Sequence, residues 1–184
     1  RCVLDALETG YRLIDTAQSY FNEEEVGQAL AESGIPRRDI FLTTKVWVEH
    51  YGYEETKKSV YISLEKLKTE YLDLMLLHQP FADYYGAYRA LEDLYTEGVI
   101  RAIGVSNFYP DRLVDIANFA RIVPMVNQVE THPLNQQTEA MKWMKKYDVQ
   151  IEAWAPFGEG RGGLFENDVL AAIGKKYNKT AAQV

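Results

Sequence analysis

The chain has 184 residues, of which 47% are hydrophobic and 26% charged, and it contains one cysteine. These values exclude a collagen-like, disulfide-stabilised or disordered chain and favour one globular domain over residues 1–184. The formal charge of −7 opposes binding to nucleic acids and anionic membranes, because both require a concentrated basic surface.

Targeting signals are not visible in the sequence. No apolar run reaches the roughly 18–20 residues that a membrane-spanning helix needs. The lone Cys2 cannot form an internal disulfide, which is typical of a reducing compartment. The first residues show no positively charged segment followed by an apolar one, as a secretory signal would. The sequence therefore predicts a cytoplasmic protein that does not bind membranes.

Six short apolar runs are typical of β-strands. They begin 25 to 31 residues apart, and the intervals between them carry helical periodicity. This spacing is that of consecutive βα units on a parallel sheet. The predicted strands are 12–17, 41–47, 72–78, 100–107, 125–130 and 151–156.

The segments between these runs carry signals for helix ends. Asn22 is positioned to cap a helix that ends before Gly34. A second helix is predicted over 53–68 from its apolar spacing. Pro110 opens another, at a position where a missing N–H group costs nothing, and Asn135 precedes a fourth.

A closed (β/α)8 barrel and an open doubly wound sheet both use this repeat. In a doubly wound dinucleotide-binding fold, the pattern G-x-G-x-x-G directly follows a strand, and it follows none of the strands here. The glycine-rich segment 158–163 comes after the sixth strand and is weak evidence alone. We therefore predict an α/β protein with a parallel (β/α)8 TIM barrel, of which this chain contains about six βα units.

Every predicted strand has a polar or aromatic residue at its carboxyl end. In a barrel these ends meet on one face, where the active site lies. A polar residue repeated at the same end of each strand is difficult to explain by burial alone. The residues are Asp15, Lys45, His78, Ser106 with Asn107, Gln128 with Glu130, and Trp154.

Taken singly, these residues have less specific explanations. Asp15 can begin a turn, and a histidine such as His78 at the end of an apolar strand is more often a hydrogen-bonded core residue than a catalyst. Burying Lys45 without a partner would cost several kcal/mol, so it requires a nearby carboxylate, and Asp15 is the obvious candidate. Tyr20 lies in the loop just beyond Asp15, over the same face.

Several other chemistries are excluded by the pattern. Cys2 is far from the strand ends, which argues against a cysteine nucleophile. The three histidines lack metal-ligand spacing, so no zinc site is predicted. Neither the G-x-S-x-G elbow of serine hydrolases nor a Walker A motif is present.

Several motifs occur in a fixed order along the whole chain. They are GYRLIDTA at 10–17 with Tyr20, Asn22, Glu23 and Gly27, then TKVW at 44–47, LDL at 72–74 with HQP at 78–80, GVSNF at 104–108, and Asn127-Gln128. Together they resemble the aldo-keto reductase family. Within that family the chain is most similar to bacterial reductases of the 2,5-diketo-gluconate type.

The resemblance implies a barrel that binds NADPH without a Rossmann domain, and the spacing of the histidines predicts no metal site. It implies that the protein reduces aldehydes or ketones, including keto-sugar acids, to alcohols, and that it is a monomer when full length. Catalytic positions map onto Asp15, Tyr20, Lys45 and His78. Cofactor-binding positions map onto Ser106, Asn107, Gln128, Trp154, Pro156 and Gly158, and substrate-pocket positions onto Trp47 and Phe81.

The implied roles suit carbonyl reduction. Tyr20 would give a proton to the developing alkoxide, and because a phenol is a poor acid near neutrality, a cation is needed to stabilise the phenolate. Lys45, held by Asp15, would be that cation, and His78 would orient the carbonyl oxygen. Ser106, Asn107 and Gln128 would contact the nicotinamide carboxamide, with Trp154 stacking on the ring. Ala155 stands where family members often have serine, which removes one cofactor hydrogen bond.

Two alternatives remain from the sequence. A Schiff-base aldolase also places a lysine at a strand end, but it needs a neutral Lys45, which pairing with Asp15 opposes. The other alternative is a binding module on the same barrel, or an inactive fragment of a reductase.

The length is short for the predicted fold. Eight units of about 28 residues require roughly 220 residues, and such barrels typically have about 250. Against the family pattern, the first and eighth strands are missing, which would expose two strand edges and favour aggregation. We therefore expect these residues to be the interior of a longer protein, or a barrel that is open or closed by a partner.

Overall fold

The computed structural model describes residues 1–184, in which helices and parallel strands alternate. The strands are β1 (Leu13–Asp15), β2 (Phe41–Val46), β3 (Leu74–Leu77), β4 (Ile103–Ser106), β5 (Val126–Glu130) and β6 (Gln150–Trp154). The helices are α1 (Cys2–Glu8), α2 (Glu23–Glu32), α3 (Tyr53–Lys66), α4 (Tyr84–Thr96), α5 (Pro110–Phe119), α6 (Thr138–Lys146) and α7 (Asp168–Tyr177).

All six strands belong to one parallel sheet in the order in which they occur in the sequence. Each lies at the position of a predicted apolar run, but all six are shorter than predicted. Backbone geometry explains two of the early ends: Asn107 and Ala155, directly after β4 and β6, have φ angles of 63° and 49°. A left-handed residue cannot continue an extended strand, so the chain turns at these positions.

The sheet is strongly curled. Strands in a sheet are spaced by roughly 4.8 Å, so β1 and β5 would be about 19 Å apart if the sheet were flat. In the structure the side chain of Gln128 on β5 reaches Asp15 on β1, with 2.8 Å between Nε2 and Oδ2. The fold is therefore a curled six-stranded α/β sheet, with β1 and β6 as its edges. The complete eight-stranded barrel stays a prediction.

Side chains alternate between the two faces of this sheet. Ile14, Leu42, Met75, Leu77 and Val105 belong to the large buried apolar cluster between strands and helices. Because successive residues of a strand point to opposite faces, residues an odd number of positions from these on the same strand point into the curl. This alternation directs Asp15, Lys45 and Ser106 to the concave side.

One predicted side-chain cap and one predicted helix start differ from the structure. Asn22 does precede α2, but its side chain makes no capping bond to the helix and accepts a hydrogen bond from the Thr16 hydroxyl instead. The helix expected directly after Asn135 begins at Thr138, because 132–135 form a small turn closed by backbone bonds between His132 and Asn135.

Helices α2 and α3 approach each other closely at Gly27. A Cβ atom added there would lie 2.3 Å from the Lys66 carbonyl oxygen and 2.8 Å from Leu67 Cα. Both contacts are with backbone, which cannot move aside as a flexible side chain would.

Gly27→Ala is therefore expected to lower the free energy of unfolding by about 1–3 kcal/mol, although alanine is the better helix former by about 1 kcal/mol. Urea unfolding followed by circular dichroism measures the change. Glu25→Ala, an exposed position on the same helix, is the control and should change it by less than about 0.5 kcal/mol. An unchanged or higher stability of Gly27→Ala would contradict the close approach.

Candidate active site

An ion pair between β1 and β2 lies at the centre of the concave face. Lys45 Nζ is 2.5 Å from Asp15 Oδ1 and also donates to the Thr16 carbonyl oxygen at 3.0 Å. The Lys45 side chain is 1% exposed, whereas that of Asp15 is 29% exposed. A buried ammonium group needs this carboxylate, and the pair places a fixed positive charge beneath the cavity.

Tyr20 lies directly above this charge. It ends a short helical turn, Gln18–Tyr20, and the Lys45 ammonium is 5.1 Å from the centre of its ring. The ring is half exposed and meets the imidazole of His78 edge-on, with 5.7 Å between centroids. The phenol therefore lies between the buried cation and the open cavity, beside the imidazole.

His78 directly follows β3 and is enclosed by aromatic and polar neighbours. The Trp47 ring lies 5.2 Å away edge-on, and Ser19 Oγ is 3.3 Å from Nδ1. Burial, assisted by the charge of Lys45 and opposed by that of Asp15, lowers the pKa of His78 from 6.5 to about 4. The imidazole is therefore neutral at physiological pH.

The titration of His78 follows directly from these contacts. We expect NMR to show its imidazole neutral down to about pH 4 in the folded protein, and to titrate near 6.5 in denaturant. Since the unfolded state takes up this proton first, the contribution of His78 to stability is present above pH 6.5 and is lost as the pH falls towards about 4. A pKa of 6.5 or more in the folded protein would contradict the enclosed geometry.

Asn107 connects three elements on the wall of the cavity. Its Nδ2 donates to the His78 carbonyl oxygen at 3.1 Å, and its Oδ1 accepts from Trp154 Nε1 at 2.9 Å. Ser106 Oγ donates to the carbonyl oxygen of Gln128 at 2.9 Å. The left-handed backbone of Asn107 gives the side chain this direction and asparagine tolerates that conformation.

Glu152 is a site residue that the sequence reasoning missed. It lies on β6, and its Oε1 accepts a hydrogen bond from Gln128 Nε2 at 2.6 Å. Burial is the main cause that raises the pKa of this carboxyl, and the Asp15 charge acts the same way. The alternation along β6 was a usable signal, since Glu152 is two residues from Trp154 and shares its face.

Ser19 was also missed by the sequence reasoning. Nothing in its local pattern distinguishes it from an ordinary loop serine, because its contact with His78 joins residues that are 59 positions apart.

An open cavity of about 770 Å³ lies over these groups. Its volume is within the range of ligand-binding sites. Seven of the residues predicted from the sequence line this cavity: Tyr20, His78, Phe81, Ser106, Asn107, Gln128 and Trp154. It is also lined by residues that the sequence did not suggest, Tyr109, Asp111, Arg112 and Glu159.

Five predicted site residues do not line this cavity: Asp15 and Lys45, which form the ion pair beneath it, and Trp47, Pro156 and Gly158. The ring of Trp47 packs edge-on against His78, which does line the cavity. Pro156 lines a separate apolar depression with Leu164, and a Cβ on Gly158 would lie 3.3 Å from the same leucine. The cofactor-binding roles of Pro156 and Gly158 stay predictions.

The polar groups around the cavity offer acceptor oxygens that fit the N–H protons of a nicotinamide carboxamide, while their own N–H and O–H donors form hydrogen bonds within the protein. The carboxamide needs acceptors for its two N–H protons and a donor for its oxygen. Hydroxyl and amide groups of Ser106, Asn107 and Gln128 are lined up along the wall, with the indole of Trp154 beside them. No group of three or more His, Cys, Asp or Glu side chains is placed to hold a metal ion. The structure also contains no helix with the length and apolar character needed to cross a membrane.

A model of the aldo/keto reductase family matches residues 1–182. The chain belongs to this family. The glyoxal reductase of Bacillus subtilis is 49% identical over 180 residues, covering 97% of this chain and 64% of the relative. The chain thus spans about 64% of the length of the curated relatives it matches.

Solved structures of family members share the fold. One provisionally assigned as a 2,5-diketo-D-gluconic acid reductase B is 39% identical, with a TM-score of 0.91, over 98% of this chain and 64% of that one. A Bombyx mori aldo-keto reductase in complex with NADP is 33% identical, with a TM-score of 0.91, over 97% of this chain and 66% of that one. The family predicted from the motifs is confirmed.

Proposed function

We propose that this aldo/keto reductase reduces aldehydes and ketones to alcohols with NADPH. The observation that supports this most is the grouping of Tyr20, His78 and the Lys45–Asp15 ion pair at one cavity. The relative named glyoxal reductase and the solved relative in complex with NADP support the substrate class and the cofactor.

Tyr20 is the proton donor in this proposal. The Lys45 ammonium, 5.1 Å from the ring, stabilises the phenolate that remains after the proton has left. Asp15 keeps Lys45 in place and balances its charge, so the cation is preorganised before substrate arrives. When bound, the nicotinamide supplies the hydride, and the side chains of the protein supply the orientation and the proton.

His78 orients the substrate carbonyl as a neutral hydrogen-bond donor. For Nε2 to carry the proton and donate, Nδ1 must accept, and Ser19 Oγ at 3.3 Å is placed to donate to it. A neutral imidazole adds no charge that would repel Lys45. Trp47 packs edge-on against the His78 ring and supports it, and Phe81 supplies an apolar wall for the substrate.

Cofactor binding in this proposal uses the amide wall. Ser106, Asn107 and Gln128 hold the carboxamide, and Trp154 stacks on the ring while its Nε1 holds Asn107 in position. Pro156 and Gly158 follow Trp154 in the chain and would contact the remainder of the dinucleotide.

Fluorescence titration with NADPH and NADH, followed by assays with glyoxal, methylglyoxal and a keto-sugar acid, tests this function. We expect micromolar or tighter NADPH binding and NADPH oxidation that depends on the carbonyl compound. Dinucleotide binding without any carbonyl reduction would contradict the enzymatic proposal. Trapping of substrate on Lys45 by borohydride would favour the aldolase instead, and the tight pair with Asp15 opposes that chemistry.

A further inference from the structure

Gln128 lies between two carboxylates that come from different strands. Its Nε2 donates to Asp15 Oδ2 at 2.8 Å and to Glu152 Oε1 at 2.6 Å. A primary amide nitrogen carries two protons, so both are used by these two bonds. Gln128 and Glu152 are also register partners in the parallel pair of β5 and β6, which places their side chains on the same face.

This arrangement decides which end of the Gln128 amide faces the cavity. If the amide turned over, Oε1 would face two carboxylate oxygens, and acceptors repel each other at this distance. With the nitrogen held below, Oε1 is the end left for the cavity, which Gln128 lines. An oxygen in this position accepts a hydrogen bond and cannot donate one.

Asp15 alone would not fix the amide. Its other oxygen is engaged by Lys45, and its bond to Gln128 uses only one of the two N–H protons. Without Glu152, the second proton has no partner in the structure and the amide loses its cross-strand support. The carboxylate of Glu152 therefore supplies the second constraint.

We propose that Glu152 is a positioning residue that turns Gln128 Oε1 towards the cavity, so that the site prefers a pyridine ring bearing an N–H donor over one without it. The proposal rests on the proposed function, in which the carboxamide binds against Gln128. Glu152 itself acts through Gln128 and does not contact the reacting atoms.

The first test compares NADP⁺ with its 3-acetylpyridine analogue, in which a methyl ketone replaces the carboxamide and no N–H is available. Binding is measured by fluorescence titration for the unmodified protein, Glu152→Ala and Glu152→Gln. A lost hydrogen bond corresponds to about tenfold in affinity, so we expect the unmodified protein to prefer NADP⁺ by about that factor. Glu152→Ala should reduce the preference to about twofold or less, whereas Glu152→Gln, which keeps an acceptor oxygen, should retain most of it.

Glu139→Ala is the matched control, because this glutamate is 76% exposed on α6 and pairs with Lys142. The Glu139→Ala variant should prefer NADP⁺ over the 3-acetylpyridine analogue by the same factor as the unmodified protein. An unchanged preference in Glu152→Ala would overturn the proposal, as would a loss in Glu152→Gln equal to that in Glu152→Ala. The second outcome would assign Glu152 a purely electrostatic role.

A second readout separates the proposal from the proposed function. The Gln128 side-chain amide protons, assigned by their disappearance in Gln128→Ala, are followed by ¹⁵N NMR without any dinucleotide. We expect both proton resonances to be shifted downfield and both protons to be protected from exchange with solvent. In Glu152→Ala one of the two protons should lose this shift and protection, whereas in Glu152→Gln both should keep them. If the unmodified protein binds neither dinucleotide, the proposed function fails, but these resonances still test the role of Glu152. Unshifted resonances in the unmodified protein would overturn the positioning role of Glu152.

Discussion

Lys45→Met is expected to lower the turnover of carbonyl reduction by at least about a hundredfold, with dinucleotide affinity within about threefold of the unmodified value. The ammonium is the cation next to Tyr20, at 5.1 Å from its ring, and methionine offers no charge to stabilise the phenolate. General acid catalysis by a positioned side chain contributes about 10²–10⁴ in rate, which sets the size of the effect. Single-turnover kinetics with saturating NADPH measures it.

The fold should tolerate this substitution better than most changes of a buried charge. Methionine has a similar length and is flexible, so it fills the space of the lysine chain. Asp15 keeps the hydrogen bond from Gln128 and is 29% exposed, so it retains other polar contacts. Lys142→Met, which removes an exposed charge on α6, is the control for loss of charge and should leave turnover unchanged. Near-normal turnover by Lys45→Met would contradict the mechanism.

Asp73→Ala is expected to lower the free energy of unfolding by about 3–5 kcal/mol, the cost of removing one partner from a buried ion pair. The Asp73 side chain is 8% exposed and pairs with Arg37 at 2.8 Å and Arg101 at 3.2 Å. It also accepts from the backbone N–H of Leu42 at 3.0 Å, so the substitution leaves a buried donor without a partner. The two guanidinium groups additionally flank the ring of Tyr71, at 4.2 and 3.7 Å.

Urea unfolding monitored by circular dichroism measures this loss. Asp39→Ala is the matched control, because its carboxylate is 54% exposed and lies 3.9 Å from an exposed arginine, and it should change stability by less than about 0.5 kcal/mol. Asp73→Asn should lie between the two, since it keeps an acceptor for Leu42. A change below about 1 kcal/mol for Asp73→Ala would show that the cluster does not stabilise the fold.

The order of the elements was predictable because it depends on local patterns. Apolar runs of strand length, separated by helical periodicity, indicate βα units wherever they occur. The end of β4 was harder to place, because it depends on the left-handed backbone of Asn107, and asparagine adopts this conformation in some contexts only. Asn22 is the N-cap residue of α2, as predicted, but its side-chain oxygen accepts a hydrogen bond from Thr16, six residues earlier, and none from the helix.

Some residues of the cavity were predictable from the sequence, because they lie at the carboxyl ends of the predicted strands. Parallel strands bring their carboxyl ends to one side of a sheet, so polar residues at 15, 45, 78 and 106 were expected to meet there. Glu152 does not lie at a strand end, since it is in the middle of β6, and only the alternation that places it on the same face as Trp154 pointed to it. Its importance comes from Gln128, which lies opposite it in the register of β5 and β6.

The sequence by itself determined the βα order, the family and the set of polar side chains at the strand ends, because these follow from periodicity and motifs along the chain. The tertiary structure alone decided the curl of the sheet, which brings Gln128 to Asp15 over a separation of 113 residues. It also decided the enclosure that lowers the pKa of His78 and the cross-strand contact that orients the Gln128 amide. These contacts depend on distances between residues across the folded sheet. The effects of burial and charge on a side chain are set by these distances and not by the spacing of residues along the chain.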